Sequence, residues 1–323
     1  MIDALNGCAR LLLRQELKPV QGDRFQPTGF ADLGAAVYET ATGTRVVLVE
    51  SAQSMANRME AVCLDGSGPE IMEALAGLPY VRVKLTGVVE SATSSLIEAH
   101  RINSPYIITD EGFRAAFVQA SGYAKGRPLD WKRIAAAVLR YDVNALLHGV
   151  FMANLEDGRV RLPRAITGFI EARDVREAVS GGVKNNPLDP AGKIRAKGYD
   201  KDVYGNVPYA RVEYTAREIA AYFNLDVALI RGYGLPEVAT RLLLGLALYK
   251  IRRFLNIGLR LRTACDFRTE GPLEAQTPAG FQVPEEAALL EHVQRGIREC
   301  ASAGLFADPP VTELTTDCVT KEE

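Results

Sequence analysis

Histidine is scarce in this 323-residue chain, tryptophan occurs once, and no single charge dominates. His100, His148 and His292 stand at no spacing that suits a metal site or a catalytic pair, so histidine chemistry has no sequence signature. The five cysteines (Cys8, Cys63, Cys265, Cys300 and Cys318) are odd in number and scattered. That argues against a zinc knuckle or a disulfide framework, and it predicts free thiols in a reducing cytoplasm. No apolar run approaches the roughly 20 residues of a membrane span, and the first residues lack the charged-then-apolar design of a secretory leader. "SGGVKNN" (180–186) has the wrong spacing for a phosphate-cradling GxxxxGK[ST] loop and no helix after it. No metal and no cofactor is expected.

The charges present are segregated. Arg241 to Arg268 holds seven Lys or Arg against Asp266 alone, and Arg159 to Arg217 holds twelve basic residues against seven acidic ones. From Glu270 to Glu323 the balance reverses, with eleven acids and three bases. Such separation points to a polyanion-facing surface and an acidic region elsewhere.

"RVVLVE" (45–50) reads as a buried strand, and Ser51 is placed to cap a helix whose Ala52, Met55, Met59 and Val62 face the core. "YVRVKL" (80–85) alternates like a half-buried strand, and helices are predicted near 91–101, 110–120 and 129–141. "RAITGFIEA" and "YARVEYT" read as strands on either side of a long basic insertion, and "AREIAAYF" (216–223) as a helix. "LPEVATRLLLGLALYKIRRFLN" reads as a long buried helix with Pro236 in its first turn and Gly258 just past its end. Another helix is predicted within 284–302. The irregular alternation predicts an α+β fold, with residues 1–268 as the core and 269–323 as an acidic appendage.

Residues 183–209 form an unusually long segment without apolar rhythm, and loops of that length are functional or disordered. Lys184, Lys193, Arg195, Lys197 and Lys201 alternate there with Tyr199, Tyr204 and Tyr209. Cations neutralise phosphates and aromatic faces stack on splayed bases, so this composition suits single-stranded nucleic acid. Gly181 and Gly182 permit a tight turn whose amides could approach a phosphate beside Lys184. Gln53, Ser54, Asn57 and Arg58 form a short-chained polar helix face that suits a sugar–phosphate backbone and equally suits solvent. Arg24 lies in a Gly/Pro-rich loop, Arg260 and Arg262 alternate with leucines on a strand, and His100 and Arg101 fall in "HRINSPY".

"LKPVQGDRFQPTGF", "VLVESAQSMANRMEAVC", "HRINSPYI", "FIEARDVREAVSGGVK" and "LNIGLRLRTACDF" together resemble one family. It is the RAMP-superfamily backbone subunit of type I-G (formerly I-U) CRISPR effector complexes, the Cas-seven group protein of that subtype. The resemblance runs from about residue 10 to 266 and leaves out the acidic tail. It implies an RRM-like, ferredoxin-like core sheet with helices and large insertions, including a thumb hairpin for which 183–209 is the candidate. It also implies a non-catalytic, cytoplasmic protein that oligomerises along a CRISPR guide RNA beside other effector subunits and presents the guide to target DNA. Base pairing then reads sequence while the protein holds the backbone. The alternative is a RAMP endoribonuclease, with His100 as general base or Asp23 aligning a 2′-hydroxyl. A weaker reading is a small-molecule enzyme with a phosphate at Gly181–Gly182. The acidic tail is expected to touch an adjacent subunit or a partner protein.

Overall fold

The computed structural model describes every residue except Met1, Ala31, Ser67, 199–204, Gly258 and 320–323. Strand β1 (Arg10–Pro19) alternates Leu11, Leu13, Gln15 and Leu17 onto one buried face. Strands β2 (Val37–Glu39) and β3 (Arg45–Glu50) form a hairpin that leads into helix α1 (Ala52–Ala61). Ser51 caps that helix, accepting from the Ser54 amide at 3.2 Å. Met55, Ala56 and Met59 turn into the core as a 3.6-residue period requires, while Ala52, expected there, sits exposed in the first turn.

Strands β4 (Tyr80–Gly87) and β5 (Ser91–Ser94) precede helices α2 (Glu111–Ser121), α3 (Trp131–Tyr141) and α4 (Val143–His148). The helix expected at 91–101 is instead β5 followed by turns, because Ser91–Ser94 pairs with Arg82–Leu85. Strand β6 (Ile166–Arg173) is followed by a separate hairpin of β7 (Arg176–Lys184) and β8 (Val207–Thr215), then by strand β9 (Glu218–Asp226). Helix α5 (Glu237–Asn256) leads to β10 (Leu259–Arg262), β11 (Cys265–Thr277), α6 (Glu286–Ser302) and β12 (Val311–Cys318).

The main sheet runs β10-β11-β1-β9-β6-β3-β2, antiparallel throughout. Its four middle strands, taken in chain order as β1, β6, β9 and β11, lie in the spatial order fourth, first, third, second. Helix α1 falls between the first and second of these strands, and α5 between the third and fourth. Both helices cover the same face. An added Cβ on Gly168 of β6 would lie 3.4 Å from the Met55 methyl of α1, and Phe223 of β9 meets Phe254 of α5 edge-on at 6.4 Å. The opposite face stays open and carries Phe169 stacked on Tyr222, ring centroids 5.1 Å apart. Together the elements make an α+β fold.

"AREIAAYF" is thus part of a central strand rather than a helix. Ile219, Ala221, Phe223 and Leu225 all point to the covered face, and pairing on both edges overrides the local helix preference of its alanines. The boundary expected near 269 falls inside β11, which runs beside β1. A bulge there leaves the Glu270 and Gly271 carbonyls accepting from the buried Gln15 amide at 3.0 and 3.2 Å. Helix α6 packs on α5 so closely that a Cβ on Gly245 would come 2.5 Å from the His292 ring. It buries Leu289, Val293, Ile297 and Cys300, each of the larger side chains worth roughly 1.5–3 kcal/mol. Strand β12 pairs in parallel with β4, so the acidic C-terminal segment is built into both sheets. Among the described residues, Glu274, Glu291, Glu299, Glu313 and Asp317 occupy exposed positions on its strands and helix. All five cysteines are free, and among the described residues no helix is long and apolar enough to cross a membrane.

Glu50, at the end of β3, has no exposed surface. Ser54 and Arg58 of α1 and Arg262 of β10 all donate to its carboxylate, Arg58 Nε at 2.9 Å. Arg58 also donates to the Leu261 carbonyl at 2.6 Å, and Arg262 to the Gln26 and Val49 carbonyls at 3.1 Å each. One buried carboxylate therefore fastens α1, β3, β10 and the 20s loop. Glu50→Ala leaves two half-buried guanidiniums without a counter-charge, and should cost about 3–5 kcal/mol of unfolding free energy. Urea denaturation measures this; a loss below ~1 kcal/mol would mean that water replaces the carboxylate at no great cost.

Candidate nucleic-acid interface

The polar face of α1 divides in two. Ser54 and Arg58 turn inward to Glu50, together with Arg262 from β10, so three expected contact residues are occupied in the clamp. Gln53 and Asn57 remain outside, joined by a 3.0 Å hydrogen bond, and Arg164 donates to the Gln53 side-chain oxygen. Arg164 thereby connects α1 to a cavity of about 360 Å³ lined by His100, Arg101, His148, Phe151, Arg161 and Arg164.

The inner wall of this cavity is a polar network. Arg101, held at a positive φ of 50°, makes a bidentate pair with Glu60 at 2.7 and 2.8 Å and donates to the Gly149 carbonyl at 2.9 Å. Glu60 also accepts from Asn144 at 2.9 Å, Asn144 accepts from buried Lys250, and the Lys250 ammonium lies 3.0 Å from His148 Nε2. Burial first, then the charges of Lys250, Arg101 and Arg164, push the His148 pKa well below its ordinary value, so this ring stays neutral. On the outer wall the Arg161 guanidinium lies 4.1 Å from the Phe151 ring centroid. His100 sits exposed at the rim.

The basic hairpin forms a second surface. Its strands start earlier than 183 and end later than 209, and the connecting segment between Lys184 and Val207 carries the tip. Gly181 and Gly182 lie inside β7 rather than in a turn, because the Tyr209 ring crosses the strand there. A Cβ on Gly182 would come 2.8 Å from the Tyr209 hydroxyl. Asp189 organises the tip, accepting from the Ile194 amide at 2.5 Å; amide donors at Ile194, Lys193 and Gly192 hold its carboxyl below the usual range. Lys184, Lys193, Arg195 and Lys197 are exposed and make no ion pair with another described residue. Tyr199, Lys201 and Tyr204 lie outside the described residues.

From Val179 outward, one face of the hairpin is apolar. Val179, Gly181 and Val183 stand opposite Val212, Ala210 and Pro208, and Val179 is 76% exposed. A groove of about 1,060 Å³ runs from the hairpin's Tyr209 and Arg211 to Gln26, Arg45 and Arg262, so the hairpin base and the clamp share one concavity. Arg24 pairs with Glu213 of β8 at 3.3 Å, while Arg260 stays exposed on β10 without an ion pair to a described residue. Among the described residues, no group of three or more His, Cys, Asp or Glu side chains is gathered as a metal site.

The structure therefore brings Gln53, Asn57, His100 and Arg101 toward one cavity and gathers Ser54, Arg58 and Arg262 at a buried acid. Lys184, Lys193, Arg195 and Lys197 are brought together on the hairpin. His148, Phe151, Arg161, Arg164 and Lys250 were not singled out by sequence. "RVRLPR" (159–164) was the available signal, three arginines within six residues.

These features give a nearly neutral chain two locally basic, concave surfaces. The sequence profile described as CRISPR-associated protein GSU0053 matches residues 11–177, slightly more than half of the chain, and the chain belongs to that family. The family resemblance read from the sequence is borne out at this level. No curated protein matches the chain. Among solved structures, a chain of "CRISPR RNA-guided surveillance complex, pre-nicking" is 12% identical with a TM-score of 0.40, over 80% of this chain and 73% of that one. Csc2 from Thermofilum pendens is 8% identical with a TM-score of 0.31, over 92% and 76%. A chain of another CRISPR RNA-guided surveillance complex is 12% identical with a TM-score of 0.28, over 91% and 88%.

Asp142 caps α4 behind this cavity, accepting from the Ala145 amide at 3.1 Å, while its other oxygen is buried without a partner. Burial pushes its pKa up from 3.8 to about 7. The folded protein thus keeps a proton that the unfolded chain releases at lower pH. This group's contribution to stability is complete below about pH 4 and fades as pH rises toward 7. Asp142→Asn retains a capping oxygen without the titration. Thermal melts from pH 4 to 8 should show the wild type losing stability relative to the variant as pH rises; parallel profiles would refute the assignment.

Proposed function

We propose that the chain is a non-catalytic, RNA-binding subunit of a CRISPR effector complex, with copies stacked along one guide RNA and the hairpin of β7 and β8 as its thumb. The observation that carries this is the hairpin itself: an exposed ribbon with unpaired cations at the tip and a face that is apolar from Val179 outward. The cations suit a phosphate backbone, whose neutralisation releases counterions. The apolar face suits a protein surface, and in this reading it is a neighbouring copy. Family membership supports the CRISPR context. The β-α-β-β-α-β order of the core strands, with both helices on one face, supports a ferredoxin-like, RRM-like core. Other effector subunits meet the ends of the row, and target DNA is met by way of the guide.

Lys193→Ala, Arg195→Ala and Lys197→Ala combined should weaken binding of the cognate repeat–spacer transcript equally for unrelated sequences. The slope of log K against log salt should become shallower by about 2, at roughly 0.7 per lost phosphate contact. Particle mass and RNA length are read on the same preparations, with intact RNA in a large particle expected. Unchanged affinity and slope would remove the hairpin from the interface. Transcript cut by the wild type and left whole by His100→Ala would replace the scaffold reading with an endoribonuclease.

A further inference from the structure

The cavity behind His100 holds a feature that the scaffold role does not use. Lys250 is 1% exposed, and its ammonium has three hydrogens and no lone pair. Its 3.0 Å contact with His148 Nε2 therefore makes Nε2 the acceptor. The neutral ring must then carry its proton on Nδ1. That N–H belongs to a residue 1% exposed and has no acceptor among the described residues, yet His148 lines the cavity. A buried donor left unpaired is costly, and it is kept where something else supplies the acceptor.

The surrounding walls say what kind of acceptor. Arg161 lies over the Phe151 ring, and Arg164 donates to the neutral Gln53 side chain; neither makes an ion pair with a described residue. The acid nearest the inner wall, Glu60, is engaged by Arg101 and Asn144. Two guanidinium forks and one neutral N–H thus border a space of about 360 Å³, within the usual range for small-ligand sites. Several donors around one cavity suit an anion with several acceptor oxygens.

We propose that this cavity is a phosphate-binding site, with His148 Nδ1–H, Arg161 and Arg164 as donors and room for the attached sugar. That the phosphate belongs to RNA rests on the function proposed above; the site itself does not. His148 reads the oxygen, Lys250 fixes its tautomer, and Gln53 holds Arg164 in place.

Side-chain ¹⁵N–¹H correlation spectra of the full chain test this directly, since three histidines give few signals. Inorganic phosphate, adenosine monophosphate and an octauridylate are added separately, with sodium chloride at matched ionic strength as the control. The expected result is a protonated Nδ1 on His148 whose signal moves with each phosphate-bearing probe and not with chloride. Arg161→Ala with Arg164→Ala, both at the cavity mouth, should weaken octauridylate binding by about tenfold or more, as expected for lost charge-assisted bonds. A proton on Nε2, or a signal indifferent to every probe, overturns the site even if RNA binds through the hairpin. A shift with phosphate while no RNA binds upholds the site and sinks the RNA reading. Monophosphate binding far tighter than octauridylate upholds the phosphate chemistry and assigns it to a free nucleotide.

Discussion

A single buried carboxylate holds the fold to its working shape. Glu50 lies where β3 hands over to α1, and its arginines come from the helix that follows and from a strand near the other end of the chain. A carboxylate without solvent is tolerated when it is paired and hydrogen-bonded, and here Arg58 and Arg262 both supply that pairing. Their arrival sets the angle of α1 against the sheet. It also sets the position of the 20s loop, whose Gln26 carbonyl accepts from Arg262. The groove toward the hairpin and the cavity beside Gln53 are both shaped by that placement.

Cations in this protein thus fall into two populations. Arg58, Arg101 and Arg262 spend their charge inside the molecule, on Glu50 and Glu60. Arg161, Arg164, Arg260 and the hairpin lysines do not. A nearly neutral chain can still present a polyanion with a basic surface, because the compensating acids are sequestered in clamps or gathered on other elements.

Much of the fold was legible because its signals are local. The Ser51 cap, the β-branched run of β3 and the long apolar stripe of α5 each declare themselves within a few residues. "AREIAAYF" misleads because Ile219, Tyr222 and Phe223 satisfy a helical period as well as Ile219, Ala221 and Phe223 satisfy a strand's, and only the neighbouring strands decide. The chemistry of the candidate sites was half legible. Composition marked the hairpin, but Arg262 could not be told from a surface arginine, since its acid partner Glu50 lies 212 positions away, and Arg58 is turned inward only because Glu50, eight positions before it, is buried. His148 looked isolated for the same reason: Lys250 lies 102 positions away. The acidic tail read as a separate piece because charge was weighed before periodicity, and its apolar positions at Leu273, Leu289, Val293 and Ile297 are what tie it in.

The span of the Glu50 clamp bears on how the protein comes into being. Ribosomes deliver the chain from its N-terminus, so Glu50 and Arg58 emerge long before Arg262 exists. Strand β4 likewise waits for β12, and β1 waits for β11. A nascent chain short of its last third has an unfinished sheet and a half-neutralised acid at its centre. The grooves that depend on that acid take shape only once Arg262 has emerged to complete its pairing.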